Sequence, residues 1–152
     1  MISTTSTYGI RAVCYLAGQP RDRFVPIREI SDEANIPFQY LTKLLQRLQN
    51  DGLIISRRGN TGGVTLARLP EEISLIDILA VLEPGFVEGK CLIHDRHCPK
   101  GEWCAFGVYW RKVQSDVHRL LRDTNIGWIA DYDRTNANSG RAGFDKDEFF
   151  QY

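Results

Sequence analysis

A break at residues 35–37 divides the most regular part of the sequence into two amphipathic segments. Proline, present at the end of this break, fits the first turn of a helix but not its interior, because it has no amide proton and clashes with the preceding turn. Apolar residues recur at helical spacing on both sides, from Ile27 to Ala34 and from Leu41 to Leu48. The stretch from Val25 to Gly52 therefore predicts a helix-turn-helix.

The second of these helices separates apolar from polar positions. An inward face is predicted for Tyr40, Leu41, Leu44, Leu45 and Leu48. An outward face is predicted for Gln39, Thr42, Lys43, Gln46 and Arg47. The second helix of a helix-turn-helix presents such a polar face to the DNA major groove. Double-stranded DNA is therefore the expected partner.

Two short apolar segments and a glycine-rich turn follow. Residues 53–56 and 64–67 read as strands, and residues 57–63 read as the turn between them. This pattern predicts the β-hairpin wing of a winged helix. Arg57 and Arg58 are expected at its tip, because a narrow minor groove attracts arginine and the neighbouring glycines permit a close backbone approach.

Charge is balanced over the whole chain but not within this unit. Lysine and arginine number 19, as do aspartate and glutamate, so the formal net charge is zero. Between Pro37 and Arg68, however, Asp51 is the only acid. The bases of that interval are Lys43, Arg47, Arg57, Arg58 and Arg68. Such a local positive excess is the electrostatic footprint expected of a phosphate-binding surface.

Other helices flank the winged unit. Apolar residues recur at helical spacing from Thr7 to Gly18, and Cys14 lies on that stripe, where it is expected to act as a small core side chain. Ser74 and Asp77 have the spacing of a capping box at the start of another helix, which residues 83–85, Glu-Pro-Gly, bring to an end.

A long helical pattern begins after Cys104. Its apolar positions are three or four residues apart: Trp110, Val113, Val117, Leu120 and Thr124. Pairing with the same helix of a second copy would bury this stripe in a homodimer, and packing on its own domain is the alternative. The following residues, Ile126, Trp128 and Ile129, are predicted to return to the first helix.

Cysteines are concentrated between Cys91 and Cys104, with Cys98 between them. A structural zinc site could use these thiolates with His94 or His97, and a thiol-disulfide switch needs only two cysteines that can approach each other. An iron-sulfur cluster needs several thiolates that converge on one point. All three chemistries fit the spacing. Cys104 also precedes a helix, whose positive dipole end favours its thiolate.

Length and composition limit the class of protein. The 152 residues, of which 43% are hydrophobic, suit one core or a small domain with an appended helix. We expect a cytoplasmic protein with reduced cysteines and no membrane partner, since no export leader is visible and no apolar run approaches the roughly 20 residues that span a bilayer. We expect no enzyme, because no Cys-x-x-Cys and no catalytic set is recognisable, and a small thiol enzyme is the remote alternative.

The order of these features resembles the Rrf-type winged-helix repressors, the family that includes IscR, NsrR and RirA. The resemblance runs from about Thr7 to Asp131. Its most specific parts are Tyr40-Leu41, Arg58-Gly59 with Gly62-Gly63, and the three loop cysteines. It implies base-reading positions at Pro37, Gln39 and Thr42, with Arg58 in the minor groove. The whole predicted DNA surface is Pro37, Gln39, Tyr40, Thr42, Lys43, Arg47, Arg57, Arg58 and Gly59.

The resemblance also implies that Cys91, Cys98 and Cys104 hold an iron-sulfur cluster. A histidine three residues after the last cysteine completes the cluster in IscR-like members, and the corresponding residue here is Gly107. NsrR-like members use an acidic residue before the tyrosine of the first helix, and the corresponding residue here is Thr7. The fourth ligand is therefore unassigned. The candidates are His94, Asp95, His97, a water molecule or a small thiol, and a [4Fe-4S] cluster with one labile iron is favoured over [2Fe-2S].

The expected fold class is mostly α with a small β-hairpin, comprising a winged helix-turn-helix domain and a long C-terminal dimerisation helix. Its predicted divisions are a DNA-binding domain (1–83), a cysteine-rich loop (84–105), a dimerisation helix with a return segment (106–131) and a flexible tail (132–152). The predicted function is that of a homodimeric repressor on a pseudo-palindromic operator, sensing iron, redox or nitric-oxide status through the cluster. A cluster-free thiol or zinc regulator is the alternative.

Overall fold

The structure, a computed structural model, describes residues 2–59, 62–87 and 104–138. Its elements in chain order are α1 (Thr4–Ala17), α2 (Ile27–Glu33), α3 (Phe38–Asn50), β1 (Ile54–Arg57), β2 (Gly63–Leu66), a 3-10 turn (Pro70–Glu72), α4 (Leu75–Leu82), α5 (Pro84–Val87), α6 (Ala105–Asp123) and α7 (Ile126–Asn138). Within the described ranges, no helix has both the length and the apolar character needed to cross a membrane. The mostly helical chain with one small hairpin confirms the predicted fold class.

Helix α1 begins at Thr4 rather than at the predicted Thr7, because Ser3 caps it. The Ser3 hydroxyl accepts a hydrogen bond of 3.3 Å from the Ser6 amide. One Glu83 carboxylate oxygen, at the end of α4, accepts hydrogen bonds from the Ser3 amide (2.9 Å) and the Ser6 hydroxyl (2.8 Å). The start of α1 is therefore fixed to the end of α4.

Helices α2 and α3 form the predicted helix-turn-helix. Asn35 makes the turn at a φ of 50°, and Pro37 lies at the N-cap of α3. The buried face of α3 consists of Leu41, Leu44, Leu45 and Leu48. The inward orientation predicted for Tyr40 is wrong, since its side chain is 55% exposed. The core-facing stripe of α3 is accordingly narrower than the apolar sequence pattern indicated.

Strands β1 and β2 pair antiparallel, with Ile54 opposite Leu66 and Arg57 opposite Gly63. Val25, between α1 and α2, forms an isolated antiparallel bridge with Val64, which we call the Val25 rung. The amide of each residue donates to the carbonyl of the other at 2.9 Å. The predicted hairpin is confirmed, with each strand shifted by one residue or less at its ends. This rung fixes the wing to the helix-turn-helix.

The core lies between α1, α3 and α4, and the return segment closes it. The amide of Ile126 donates to the carbonyl of Ile73 at 2.9 Å, and the Ile126 side chain is fully buried. Helix α7 then packs along α1, with Ile129 against the core, so the predicted return is confirmed for these two residues. It is wrong for Trp128, which is 60% exposed.

Helix α7 continues to Asn138, so residues 132–138 of the predicted tail are helical. The flexibility predicted for the tail stays a prediction. Trp128 and Tyr132 stack on the outer face of α7 with their ring centroids 5.4 Å apart, and Asp131 pairs with Arg134 at 2.8 Å. These contacts between residues three and four apart support a helix whose composition is polar.

Candidate nucleic-acid interface and cysteine site

The outer face of α3 presents the polar side chains that the sequence assigned to it. Pro37, Gln39, Thr42 and Lys43 are exposed. The Thr42 hydroxyl donates to the Phe38 carbonyl at 2.9 Å, which leaves its methyl group and its oxygen lone pairs facing outward. This face therefore offers an amide, a hydroxyl oxygen, a methyl group and an ammonium group to a ligand.

Tyr40 lies at the edge of this face, toward α1. Its ring makes an edge-to-face contact with Tyr8, with centroids 6.3 Å apart. Beside it, a hollow of about 430 Å³ separates the two helices; it is lined by Thr5, Gln39, Tyr40, Lys43, Leu44 and Arg47. A hollow with lysine, arginine and threonine on its walls suits a DNA phosphate.

Arg47 is exposed, and its guanidinium group binds the end of α4. It donates to the carbonyls of Val81 and Leu82, the latter at 3.1 Å, and so satisfies carbonyl groups that the end of α4 leaves unpaired. Sequence reasoning assigned Arg47 to the DNA surface on its polar position alone. Its contact with α4 joins residues more than thirty positions apart, and no local pattern marks it.

The two arginines of the wing differ in their surroundings. Arg57 is the last residue of β1, and its guanidinium lies 4.3 Å from the ring centroid of Phe24, a cation–π distance. Arg58 is exposed and precedes Gly59, whose φ of 112° turns the chain. Arg58 is therefore better placed than Arg57 to enter a DNA groove, whereas the guanidinium of Arg57 already packs on Phe24.

Among the three loop cysteines, only Cys104 belongs to the described residues. It is the N-cap of α6, as predicted, and its half-buried side chain makes no capping hydrogen bond. Gly107 lies one turn further on, and a Cβ atom there would be 3.9 Å from the Cys104 sulfur. Position 107 therefore shares the surroundings of the thiol, and glycine leaves that space open.

The remaining predicted ligands, Cys91, His94, Asp95, His97 and Cys98, lie outside the described residues. Among the residues that are described, no three histidine, cysteine, aspartate or glutamate side chains form a group able to hold a metal ion. The predicted ligand set therefore stays a prediction.

Cys14 has the character expected of a core residue. It packs against the hydrophobic core from α1. Burial, reinforced by the nearby Asp133 carboxylate, raises the pKa of its thiol to about 12. The thiolate is the reactive form of cysteine, so Cys14 is chemically inert at neutral pH.

Among the described residues, α6 contacts α4 and α5 through one side. Leu121 is buried, and the His118 ring lies 6.4 Å from that of Phe86 on α5. The stripe predicted for dimerisation lies on another face: Val113 is 48% exposed and Leu120 is 66% exposed. Trp110, Val117 and Thr124 are half-buried. Across the described residues, this chain thus leaves Val113 and Leu120 of the stripe exposed and covers the other three in part.

A polar recognition helix and a glycine-turned wing together specify a winged-helix DNA-binding fold. A family model described as "Rrf2: Iron-dependent Transcriptional regulator" matches residues 2–132. The chain belongs to the Rrf2 family. It is consequently a DNA-binding transcription regulator and not an enzyme, which confirms both predictions.

Individual Rrf2 relatives agree with this assignment. The Synechocystis protein slr0846, named as a helix-turn-helix-type regulator, is 42% identical over 126 residues, covering 79% of this chain and 80% of its own. The structure of CymR, the global cysteine regulator of B. subtilis, matches with a TM-score of 0.72 at 30% identity, covering 87% of this chain and 97% of its own. IscR of T. potens matches with a TM-score of 0.71 at 26% identity, covering 89% and 90%.

Sequence reasoning did not single out one exposed side chain beside this face. Phe38, the first residue of α3, is 44% exposed and lies under the guanidinium of Arg28 from α2, at 5.8 Å from the ring centroid. Its position was visible in the sequence, because the N-terminal residues of a recognition helix contact base edges.

Proposed function

We propose that this Rrf2 protein is a homodimeric repressor that binds a pseudo-palindromic operator and responds to iron, redox or nitric-oxide status through an iron-sulfur cluster. The observation that carries the proposal is the arrangement around α6. This helix begins at the thiol of Cys104, exposes the apolar side chains of Val113 and Leu120, and packs by its opposite end on the winged-helix core. A change at the thiol can therefore bias how two winged units are oriented.

In the proposed DNA complex, α3 enters the major groove and the wing lies along the minor groove. Gln39 and Thr42 reach base edges, Lys43 meets a phosphate beside the hollow, and Arg58 enters the minor groove. Arg57, stacked on Phe24, supports the wing and contributes positive charge to the same surface. Two such units spaced by a dimer axis require two half-sites about one helical turn apart, or a multiple of that distance.

Dimerisation through the α6 stripe follows from the exposed apolar side chains. An amphipathic helix that keeps Val113 and Leu120 in water loses the stabilisation that burial provides, about 1.5–3 kcal/mol for each large side chain. The same stripe on a second copy is self-complementary, as a two-fold interface requires. We therefore place the dimer axis along α6.

The described part of the cysteine site fits a cluster ligand. Cys104 lies at the positive end of a helix dipole, which favours a thiolate, and the space beside its sulfur is left open by Gly107. Cys91, Cys98 and Cys104 would hold the cluster, and the fourth ligand would come from His94, Asp95, His97, water or a small thiol. The cluster, when bound, would supply redox chemistry and an iron that can exchange a ligand.

Anaerobic purification tests the cluster directly. We expect a coloured protein with an iron-sulfur absorbance band and about four irons and four sulfides per chain for the favoured [4Fe-4S] form. Cys104→Ser should lose the band and the iron, whereas Cys14→Ser, which alters only the core thiol, should keep both. A colourless wild-type protein, without iron or sulfide after reconstitution, would refute the cluster.

A cluster-free thiol regulator is the second candidate, and one comparison favours it. This chain matches 97% of the length of CymR, the global cysteine regulator of B. subtilis. Under this candidate, oxidation joins two of the loop cysteines. Mass spectrometry after mild oxidation would show a disulfide in a metal-free protein, and metal analysis would identify a zinc-dependent form.

Arg58→Ala tests the DNA interface. Loss of a minor-groove guanidinium should weaken operator binding by roughly 1–3 kcal/mol, and removal of one phosphate-neutralising charge should lower the slope of log K against log salt by about one. Fluorescence anisotropy at several salt concentrations measures both quantities. Arg134→Ala, which removes an exposed arginine from α7, should change neither. Equal affinity of wild type and Arg58→Ala would refute the wing placement.

A further inference from the structure

Phe38 is an apolar side chain at the start of the recognition helix. It follows the N-cap residue Pro37 directly and is 44% exposed. The buried stripe of α3 begins three residues later, at Leu41, and Phe38 is not part of the core cluster. Core packing therefore does not explain an aromatic residue here.

Arg28 fixes the position of this ring. It projects from α2, the first helix of the helix-turn-helix, and its guanidinium lies 5.8 Å from the Phe38 centroid. A guanidinium group within about 6 Å of a ring centroid is attracted to the face of the ring. Arg28 is itself exposed, on the helix that crosses the DNA backbone in such complexes. The ring is thus held at the leading end of α3 without being buried.

The major groove offers one apolar feature to such a ring. Among the groups that the four bases display there, all are hydrogen-bond donors or acceptors except the C5-methyl group of thymine. Phenylalanine has no polar atom with which to read the others. On the same face, Gln39 and Thr42 can form hydrogen bonds, and Phe38 adds a large apolar surface to the small methyl group of Thr42.

We propose that Phe38 is a specificity-determining residue that recognises the methyl group of a thymine in each operator half-site, with Arg28 as its positioning residue. The inference rests on the proposed placement of α3 in the major groove. It deepens that proposal by naming one base and the atom of that base that is recognised.

Substitution of single thymines by deoxyuridine isolates this contact. Deoxyuridine lacks only the C5-methyl group and keeps the hydrogen-bonding edge of thymine. The full-length protein would first select its operator from randomised duplexes. Each thymine of the selected site would then be replaced in turn, and the affinity measured by fluorescence anisotropy. At one thymine position per half-site we expect a loss of about fourfold, the value of one methyl group returned to water.

Variants of Phe38 assign that loss to the ring. Phe38→Ala should bind the thymine operator more weakly than wild type and should be insensitive to deoxyuridine at the same position. Phe38→Leu, which keeps an apolar surface, should recover part of the discrimination. Trp128→Ala removes an exposed aromatic residue from α7. It should keep the wild-type ratio of affinities for the thymine and deoxyuridine operators. Thermal unfolding of each variant checks that its fold is intact.

The role of Arg28 is tested by the same ratio. Arg28→Met removes the cation above the ring and should reduce the thymine-to-deoxyuridine ratio toward one, whereas Arg28→Lys keeps a cation and should restore it. A merely structural role would lower the affinity for both duplexes equally. The salt dependence of binding separates any phosphate contact of Arg28 from this positioning effect.

Two results would overturn the inference. One is an operator in which no thymine-to-deoxyuridine change weakens binding. The other is a Phe38→Ala variant that keeps the wild-type sensitivity at the same position. Either result leaves sequence-specific binding and the Arg58→Ala effect intact, and so is distinguishable from failure of the proposed function. That failure would appear as no selected operator at all, and would overturn both.

Discussion

At the scale of single residues, Gly63 shows how closely the wing approaches the rest of the domain. Val25 and Val64 exchange two backbone hydrogen bonds of 2.9 Å, which brings the backbone of Gly63 against the Val25 carbonyl. A Cβ atom at position 63 would lie far inside contact distance of that carbonyl group. The residue is glycine because backbone atoms, which cannot rotate away, occupy the space of a side chain.

Gly63→Ala should therefore destabilise the protein by about 1–3 kcal/mol, because either the Val25 rung or the β1–β2 pairing must shift. Urea denaturation of the purified variant measures the change. Gly18→Ala is the matched control, since that glycine ends α1 at a φ of −77° and the nearest atom to a new Cβ is 3.6 Å away. Equal stability of Gly63→Ala and wild type would contradict the close approach.

Single residues also show the limit of reading a sequence without a structure. The sequence predicts which positions of α3 are polar, and Gln39, Thr42 and Lys43 are exposed as expected. It does not predict that Arg47 binds the end of α4 or that Arg57 stacks on Phe24. These partners lie more than thirty residues away along the chain, and an arginine on a polar face has the same local pattern whether it meets carbonyl groups, a ring or DNA.

At the scale of elements, Glu83 joins the start of α1 to the end of α4. Burial alone would raise the pKa of this carboxyl group, but hydrogen bonds from Ser3 and Ser6 outweigh that effect and hold the pKa below its ordinary value of 4.5. A depressed folded-state pKa means that the charged form stabilises the fold above pH 4.5. This contribution is lost as the pH falls through the lowered value.

Glu83→Gln should therefore reduce stability at pH 7 and flatten its dependence on pH below about 4.5, because glutamine accepts hydrogen bonds but does not titrate. Denaturation midpoints measured between pH 3 and pH 7 test this expectation. Glu33→Gln, at the exposed end of α2, removes a carboxylate outside this contact and serves as the control. A Glu83→Gln profile parallel to that of wild type would contradict the assignment.

Element boundaries were predictable where the local chemistry is strong. The capping box of Ser74 and Asp77 and the break before Pro37 are both present. Residues 132–138 were assigned to a tail on composition alone, whereas the structure shows them as the last part of α7, supported by contacts between residues three and four apart. The helix that follows Cys104 was predicted, whereas the ligand set N-terminal to it lies outside the described residues.

At the scale of the whole molecule, the contacts of the described residues connect the recognition helix through α4 to α6, the helix that begins at Cys104. The α6–α7 junction pairs with the start of α4, where the Leu75 amide donates to the Thr124 carbonyl at 3.0 Å. The other end of α4 is held by Arg47 of the recognition helix and, through Glu83, by α1. Helix α4 therefore contacts both the reading helix and the helix that begins at Cys104.

This connection can act on DNA only if two winged units are held together. A dimer that engages two half-sites gains roughly 10²–10⁴ in affinity over one unit, because the second contact is intramolecular. Rotating the units relative to each other removes that gain without changing either reading surface. In the proposed mechanism, the chemical state of the cysteine site shifts the population between such orientations.

Leu120→Glu should abolish dimerisation without changing the recognition of a single half-site. Leu120 is 66% exposed on the apolar stripe, so a carboxylate there should not disturb the fold of one chain but should prevent the pairing of two stripes. We expect a monomer by sedimentation velocity. The variant should bind a duplex with one half-site as wild type does and should lose most of the additional affinity for the full operator.

Ser115→Glu is the matched control, because residue 115 lies about 140° around α6 from residue 120 and is also exposed. It adds the same charge to the same helix away from the stripe. It should remain dimeric and keep wild-type affinity for both duplexes. Dissociation of both variants would indicate a general effect of charge on α6, and a dimeric Leu120→Glu would place the dimer interface elsewhere on the molecule.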